Sequence, residues 1–137
     1  MIQVTKEDFS VDEVLESIRS RSMGALATFV GVVRDSSKGR RVDRIEIQVY
    51  EEMARRQLEA IRDEAMDRFG VDEVAIIHRH GSLKVSDKIM MIAVGGDHRR
   101  EAFDACRYVL ESIKERVPIW KKEITPEGEF WVEGEEP

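Results

Sequence analysis

The run "GALATFVGVV" (residues 24–33) constrains the fold more than any other stretch of the sequence. It is apolar almost throughout and contains β-branched and aromatic residues, a composition that predicts a buried strand. Two further stretches, residues 72–81 and 88–96, predict a pair of strands joined by a turn at residues 81–87. The sequence therefore predicts a fold that contains buried β-structure.

Two amphipathic stretches in the first half of the chain predict helices. Ser10 followed by Glu13 is a capping-box pattern, which predicts a helix over about residues 11–20. Residues 51–69 carry apolar side chains every three to four positions, which predicts a second helix that stops at Gly70.

A third helix is predicted to have Asp97 as its N-cap and to end near Arg116, because Pro118 disfavours helical geometry at Val117. The remaining predicted elements are strands at residues 2–5, 42–50, 119–124 and 129–132, a loop at residues 34–41, a turn at residues 125–128 and a frayed tail at residues 133–137. Because strands and helices are interspersed without strict alternation, we expect an α+β fold with mainly antiparallel pairing. The length suits one domain, which we expect to span residues 1–137.

Composition argues against several classes of protein. The formal net charge is −6, from 22 basic and 28 acidic residues, which argues against a general nucleic-acid-binding surface but allows a local basic pocket. No apolar run approaches the roughly 18–20 residues of a membrane span, and the N-terminus lacks a signal-peptide pattern. The one cysteine, Cys106, cannot form an internal disulfide. We therefore expect a protein of the reducing cytoplasm, with no membrane or nucleic-acid partner.

The stretch "GGDHRREAF" places His98, Arg99 and Arg100 in the first turn of the third predicted helix. A helix N-terminus carries partial positive charge, so basic side chains are disfavoured there. One explanation is that a bound anion gathers them. The other is that they point to water or pair with neighbouring acidic residues, and the spacing leaves both open.

The stretch "KERVPIWKKE" holds a second group of basic residues. In a strand, Lys121 and Glu123 would share one face, whereas Lys122 would lie on the other. A chain reversal at Pro118 would bring Lys114 close to Lys121 and create an anion clamp or a reactive amine. The alternative is an ordinary helix end with solvated lysines.

The other candidate residues carry weaker signals. Arg34 ends the buried strand, where it either forks two hydrogen bonds onto a phosphate or carboxylate or is solvated. His78, His80 and His98 lack the carboxylate and cysteine spacings of a zinc site, so we predict packing or hydrogen bonding and no metal. Cys106 lies on the apolar face of its helix, which favours a buried small side chain over a nucleophile.

Several motifs occur together in a fixed order: "TFVGVVRD", "YEEMA", "IIHRHGSL", "DHRREAFDACRYVLESIKERVPIWKKE" and "PEGEFWVE". Over residues 24–133 the chain resembles the catalytic (large) subunit of molybdopterin synthase. The most specific part is residues 98–123, which contain a His-Arg pair, a helix lysine and Pro-x-Trp-Lys-x-Glu at that family's spacing. The resemblance implies an α+β fold made of an α/β-hammerhead part and an additional antiparallel β-sheet.

The resemblance also implies an activity and partners. Members of that family are sulfurtransferases that convert cyclic pyranopterin monophosphate (precursor Z) into molybdopterin by inserting two sulfurs. The sulfur arrives as a thiocarboxylate on the C-terminal Gly-Gly of a small ubiquitin-like subunit. Two large subunits form a homodimer with a small subunit at each end, giving a heterotetramer. No cofactor of the large subunit is implied.

Position by position, the resemblance implies a substrate pocket at Val32, Val33, Arg34, His98, Arg99, Lys114, Lys121, Lys122 and Glu123. Arg34, His98 and Arg99 would hold the phosphate and the pterin. Lys121 would be catalytic, stabilising developing charge or transferring a proton, and Lys114 would position the partner's terminal carbonyl and lower the pKa of Lys121. A positive pocket suits these anions despite the acidic protein, because local potential governs binding.

The sequence departs from the family pattern at two places, and two other functions are open. Gln48 replaces a glutamate usual in the family, and the tail after Val132 is short and has no basic residue. The alternatives are a non-catalytic anion- or nucleotide-binding module and a docking protein for a ubiquitin-like partner that has lost turnover. The presence of both lysines beside the His-Arg pair favours the enzyme.

Overall fold

The computed structural model describes residues 1–132, so the predicted frayed tail at residues 133–137 lies outside the described residues. In chain order, the elements of the described part are β1 (Ile2–Thr5), α1 (Val11–Ile18), β2 (Ala25–Val32), β3 (Ser36–Ser37), β4 (Arg40–Arg41), β5 (Arg44–Val49), α2 (Glu51–Phe69), β6 (Glu73–Arg79), β7 (Gly81–Lys84), β8 (Lys88–Gly96), α3 (Arg99–Arg116), β9 (Ile119–Thr125) and β10 (Gly128–Trp131). The predicted α+β class is confirmed.

The first sheet has the strand order β1-β6-β8-β2, with β1 parallel to β6 and the other neighbours antiparallel. The central strands β6 and β8 are buried almost throughout. Along β6, Val74 and Ile76 pack into the larger core with α2 and α3, whereas Ala75 and Ile77 pack into a smaller core with α1. Helices therefore cover both faces of this sheet.

The apolar run at residues 24–33 forms β2 at the edge of that sheet. Among the described residues β2 pairs with β8 alone, and along it Ala27 is buried while Val32 is 52% exposed. The prediction of a buried strand is wrong here, because an apolar run does not reveal whether a strand has one neighbour or two.

The second sheet is antiparallel, in the order β10-β9-β5-β7. Its β9 and β10 form the hairpin that the sequence predicts. Lys121 pairs with Ile47 and Glu123 with Ile45, and both isoleucines are buried. Paired residues share a face of the sheet, so Lys121 and Glu123 lie on its inner face.

The predicted loop at residues 34–41 contains a small hairpin, in which β3 pairs with β4. Its two turn residues, Lys38 and Gly39, have φ angles of 52° and 78°. Positive φ at both central positions is the requirement of a two-residue type I′ turn, and Gly39 meets it without strain.

The helix ends follow the predicted signals with one exception. The Glu13 N–H donates to Ser10 Oγ at 3.2 Å, and α2 ends at Gly70 in the left-handed region at φ 67°. The N-cap of α3 is His98 and not Asp97, and its side chain makes no capping hydrogen bond. The prediction is wrong because β8 stays paired with β2 as far as Gly96, which delays the start of the helix.

The C-terminal part of α3 is attached to α2 through Glu64. Arg116 Nη2 lies 3.0 Å from Glu64 Oε2, and Tyr108 OH donates to Glu64 Oε1 at 2.8 Å. These contacts hold the pKa of Glu64 below its usual value. Solvent screens the ion pair, so its main effect is to fix the direction of the helix end that carries Lys114. Within residues 1–132, no helix is both long and apolar enough to cross a membrane.

Gly24, just before β2, lies in close contact with the backbone that leads into α3. Its N–H donates to the Gly96 carbonyl at 2.9 Å, and a Cβ would overlap with the backbone oxygen of Asp97. We predict that Gly24→Ala lowers the free energy of unfolding in urea by about 1–3 kcal/mol. The control is Gly31→Ala in β2, where a Cβ would meet the Phe29 ring at 3.4 Å, an ordinary contact. Equal stability of the two variants would contradict the prediction.

Candidate active site

A cavity of about 460 Å³ lies between the two sheets, beside the C-terminal turns of α3. Its wall is mostly aliphatic, with Ile45 and Ile119 from the second sheet, Met90 from the first and Ile113 from α3. A volume of this size is in the range of small-molecule sites.

The charged side chains that line this cavity are mainly cationic. Arg34, Lys38, Lys114 and Lys121 line it, and Glu123 is the carboxylate among the described lining residues. Charges within aliphatic walls interact more strongly than charges in water, because the local dielectric constant is low. The cavity is therefore suited to an anionic small molecule.

The turn at Pro118 brings the two predicted lysines to one cavity. Val117 leaves the helix with an extended conformation, as expected for a residue before proline. Lys114 then projects from the last turns of α3 and Lys121 from the inner face of β9, and both line the cavity. Six residues of the predicted pocket share this lining: Val32, Val33, Arg34, Lys114, Lys121 and Glu123.

Lys122 lies on the opposite face of β9, as strand alternation predicts. Its Nζ is 3.0 Å from Glu129 Oε1 and 5.3 Å from the centre of the Trp131 ring. It is therefore engaged on the outer face of the β9–β10 hairpin and does not line the cavity.

His98 and Arg99 are exposed at the start of α3, away from the cavity. With a rise of 1.5 Å per residue, the 15 residues from Arg99 to Lys114 span about 22 Å along the helix axis. One copy of the chain therefore does not bring this pair together with Lys114 and Lys121.

His78 is a cavity residue to which the sequence reasoning gave no role beyond packing or hydrogen bonding. It is 3% exposed, and its Nδ1 lies 2.8 Å from the Arg79 carbonyl oxygen. Burial lowers its pKa to about 4, an effect to which the nearby charge of Lys121 adds. His80 lies outside the cavity, with Nε2 3.5 Å from Glu51 Oε2. Among residues 1–132 no cluster of metal-ligating side chains is present.

The β3–β4 hairpin covers one side of the cavity. The sequence predicts only a loop for these residues. Its first strand and turn contribute lining residues. Outside the cavity, the Arg40 guanidinium lies 3.8 Å from the centre of the Phe130 ring, and its Nη2 is 3.7 Å from Glu123 Oε1. Arg40 thereby attaches the hairpin to β9 and β10. Gly39 is the one local sequence signal for this hairpin, and no local pattern reveals the contact with Phe130.

Two other sequence observations concern residues outside the cavity. Cys106 is 8% exposed and burial raises its pKa to about 11, so its thiol is protonated near neutral pH. Gln48 is exposed beside Tyr50 and Trp120 in a separate shallow depression. Gln48 therefore does not line the cavity.

The fold and the site define a class of protein: a small α+β domain with a cationic cavity for an anionic small molecule. The chain belongs to the family described as MoaE protein, whose family model matches residues 4–116. It is 44% identical to a molybdopterin synthase catalytic subunit of Pyrococcus abyssi, over 94% of this chain and 87% of that protein. It is 38% identical to the subunit of the same name from Bacillus subtilis, over 95% and 83%.

Solved structures agree with this family. The crystal structure of molybdopterin synthase from Staphylococcus aureus matches with a TM-score of 0.92 and 36% identity, over 96% of both chains. A complex of subunits 1 and 2 of the molybdopterin-converting factor from Helicobacter pylori shares the fold, with a TM-score of 0.79 at 20% identity.

The pKa of His78 predicts how stability depends on pH. Between about pH 6.5 and pH 4 the unfolded chain binds a proton at this histidine and the folded protein does not, so stability falls as the pH falls. Over this interval we expect His78 to remove about 3 kcal/mol from the free energy of unfolding. Urea denaturation of wild type and His78→Gln at several pH values measures the difference, with His80→Gln as the control. Parallel pH profiles for wild type and His78→Gln would contradict it.

Proposed function

We propose that this chain is the catalytic subunit of a molybdopterin synthase. It converts cyclic pyranopterin monophosphate into molybdopterin with sulfur delivered as the C-terminal thiocarboxylate of a small ubiquitin-like partner. The observation that carries the proposal is the cavity shared by Lys114, Lys121 and Arg34 in a chain of the MoaE family. The buried, protonated Cys106 fits this chemistry, because the partner brings the sulfur.

The cavity offers distinct surfaces to the two reactants. The aliphatic walls suit a flat pterin ring, and the guanidinium of Arg34 suits the cyclic phosphate through paired hydrogen bonds. The partner's C-terminal tail carries a thiocarboxylate, and Lys114 is placed to bind the carbonyl beside it. Lys121 then stabilises the negative charge that develops as the sulfur attacks the pterin-bearing molecule, or transfers a proton in that step.

Lys121→Ala tests the catalytic role. Loss of a preorganised cation at the site of developing charge predicts a fall in kcat of about 100-fold or more, with the Kd for the small subunit changed by less than about threefold. The assay mixes the variant with thiocarboxylated small subunit and cyclic pyranopterin monophosphate and measures the dithiolene product. Lys122→Ala is the neighbouring control, and we expect it to keep most of the activity because Lys122 faces outward. Normal turnover by Lys121→Ala would contradict the assignment.

We further propose that the active unit contains two copies of this chain, each with a small subunit, and that each site uses residues of both copies. The family resemblance assigns His98 and Arg99 to the substrate pocket, yet one copy holds them about 22 Å along α3 from Lys114. A second copy related by a two-fold axis would place its own His98 and Arg99 at the cavity without distorting the helix. The exposure of both side chains is compatible with this contact.

Mixing two inactive variants tests the shared site. Lys121→Ala and the double variant His98→Ala/Arg99→Ala are each expected to be inactive. After subunit exchange, half of the dimers contain one of each, and one of their two sites has every residue, which restores about a quarter of wild-type activity. The matched control mixes Lys121→Ala with Lys114→Ala, whose lesions lie in the same wall of one copy and cannot complement. Equal recovery in both mixtures, or none in the first, would contradict a shared site.

A docking protein without turnover is the alternative function. It predicts tight binding of the small subunit and no product from wild type with a partner preparation that is active with another synthase. The four cations of the cavity favour the enzyme, because docking of a single C-terminal carboxylate does not require them. We expect the protein to act in the cytoplasm, where its single buried thiol stays reduced.

A further inference from the structure

We infer that His78 is a positioning residue for Lys121: its imidazole, fixed by the Arg79 carbonyl, presents Nε2 to the cavity as an acceptor that orients the Lys121 ammonium. This inference rests on the proposed function for its kinetic consequence, but its structural content can be measured separately. It adds a group from the central strand β6 to a site whose predicted cavity residues lie in or just after β2, in α3 and in β9.

The hydrogen bond to the main chain fixes the tautomer of His78. Nδ1 lies 2.8 Å from the Arg79 carbonyl oxygen, and a carbonyl oxygen can only accept. Nδ1 therefore carries the hydrogen. In a neutral imidazole this leaves a lone pair on Nε2, and His78 is a member of the cavity wall.

The surroundings of His78 keep its ring neutral and in one position. It lies near the end of the central strand β6, opposite Val4 of β1 on one side and Met90 of β8 on the other. With 3% exposure and the charge of Lys121 nearby, a protonated ring is disfavoured both by desolvation and by repulsion. A neutral acceptor on a rigid strand is the kind of group that can hold an ammonium without competing for the anionic substrate.

The arrangement crosses the boundary between the two sheets. His78 belongs to the first sheet, whereas Lys121 belongs to β9 of the second, whose outer neighbour β10 is an edge strand of four residues. The first sheet is the better fixed of the two, since helices cover both of its faces. An acceptor from that sheet thus gives the ammonium a contact on a strand that is packed on both faces.

Two substitutions at His78 separate this role from a purely structural one. Asn places its amide where Nδ1 lies and keeps the bond to the Arg79 carbonyl, but offers nothing at the Nε2 position. Gln reaches the Nε2 position with its amide oxygen and gives up the main-chain bond. A positioning role predicts that His78→Asn lowers kcat about ten- to a hundredfold with KM changed less than about threefold, and that His78→Gln keeps kcat within about threefold of wild type.

The matched controls are His80→Asn and His80→Gln, at a histidine two positions away that lies outside the cavity, and both should keep wild-type kcat. Thermal unfolding and small-subunit affinity are measured for all four variants. Equal kcat for folded His78→Asn and His78→Gln would overturn the inference, as would better activity of the Asn variant, which is the order that a structural role predicts.

A second measurement tests the contact between His78 and Lys121 without measuring turnover. Nitrogen NMR of ¹⁵N-histidine-labelled protein at neutral pH should show His78 protonated at Nδ1 and unprotonated at Nε2. Lys121→Met should move the Nε2 resonance of His78 and leave that of His80 unchanged. An Nε2-protonated His78, or a resonance indifferent to Lys121→Met, would overturn the inference. If wild type makes no product with an active partner preparation, the proposed function fails, and the NMR result still decides whether His78 contacts Lys121.

Discussion

The geometry of the site depends on α3, one helix of 18 residues that is buried along one side against α2 and the first sheet. A helix of this length spans about 27 Å and has a fixed register from end to end. His98 therefore lies more than about 20 Å along the helix axis from Lys114. The helix ends just before Pro118, and β9 begins directly after it. Lys121 of β9 therefore lines the same cavity as Lys114 of α3. The helix therefore keeps His98 and Arg99 apart from Lys114 within one copy, whereas the turn at Pro118 brings Lys114 and Lys121 to the same cavity.

The protein has a net negative charge, but its acidic side chains and the cations of the cavity lie in different places. Most carboxylates of the described residues lie on exposed surfaces such as the outer side of α2, where water screens them. The cavity has aliphatic walls, and within residues 1–132 Glu123 is its one acidic lining residue. Glu123 faces the cavity and is also approached from outside by Arg40. The described lining of the cavity is thus more cationic than the net charge of −6 suggests. Cys106, with its raised pKa, adds no competing negative charge.

The parts of the fold and of the site that depend on local interactions could be predicted from the sequence. Ser10, Gly70 and Pro118 each act within a few residues, and the helix ends that they control are confirmed. Sequence failed where the deciding contact is distant. The apolar run of β2 gave no sign of its edge position, which depends on the strand order, and Asp97 was displaced as N-cap by the pairing of β8 with β2. The stacking of Arg40 on Phe130 joins hairpins far apart in sequence, and no periodicity encodes it.

The walls of the cavity differ in how firmly they are held. The hairpin wall has two residue pairs of its own, and Arg40 is one of its attachments to β9 and β10. The strand beside β9, β10, is a short edge strand. The wall from β6 and β8 is the centre of a sheet packed on both faces, where opening requires breaking two cores. In the proposed mechanism, the Lys121 ammonium must stay within about 0.5 Å of its working position while the partner's tail enters and leaves. The hairpin is held less firmly than the central strands, and His78 is the polar side chain that those strands place in the wall.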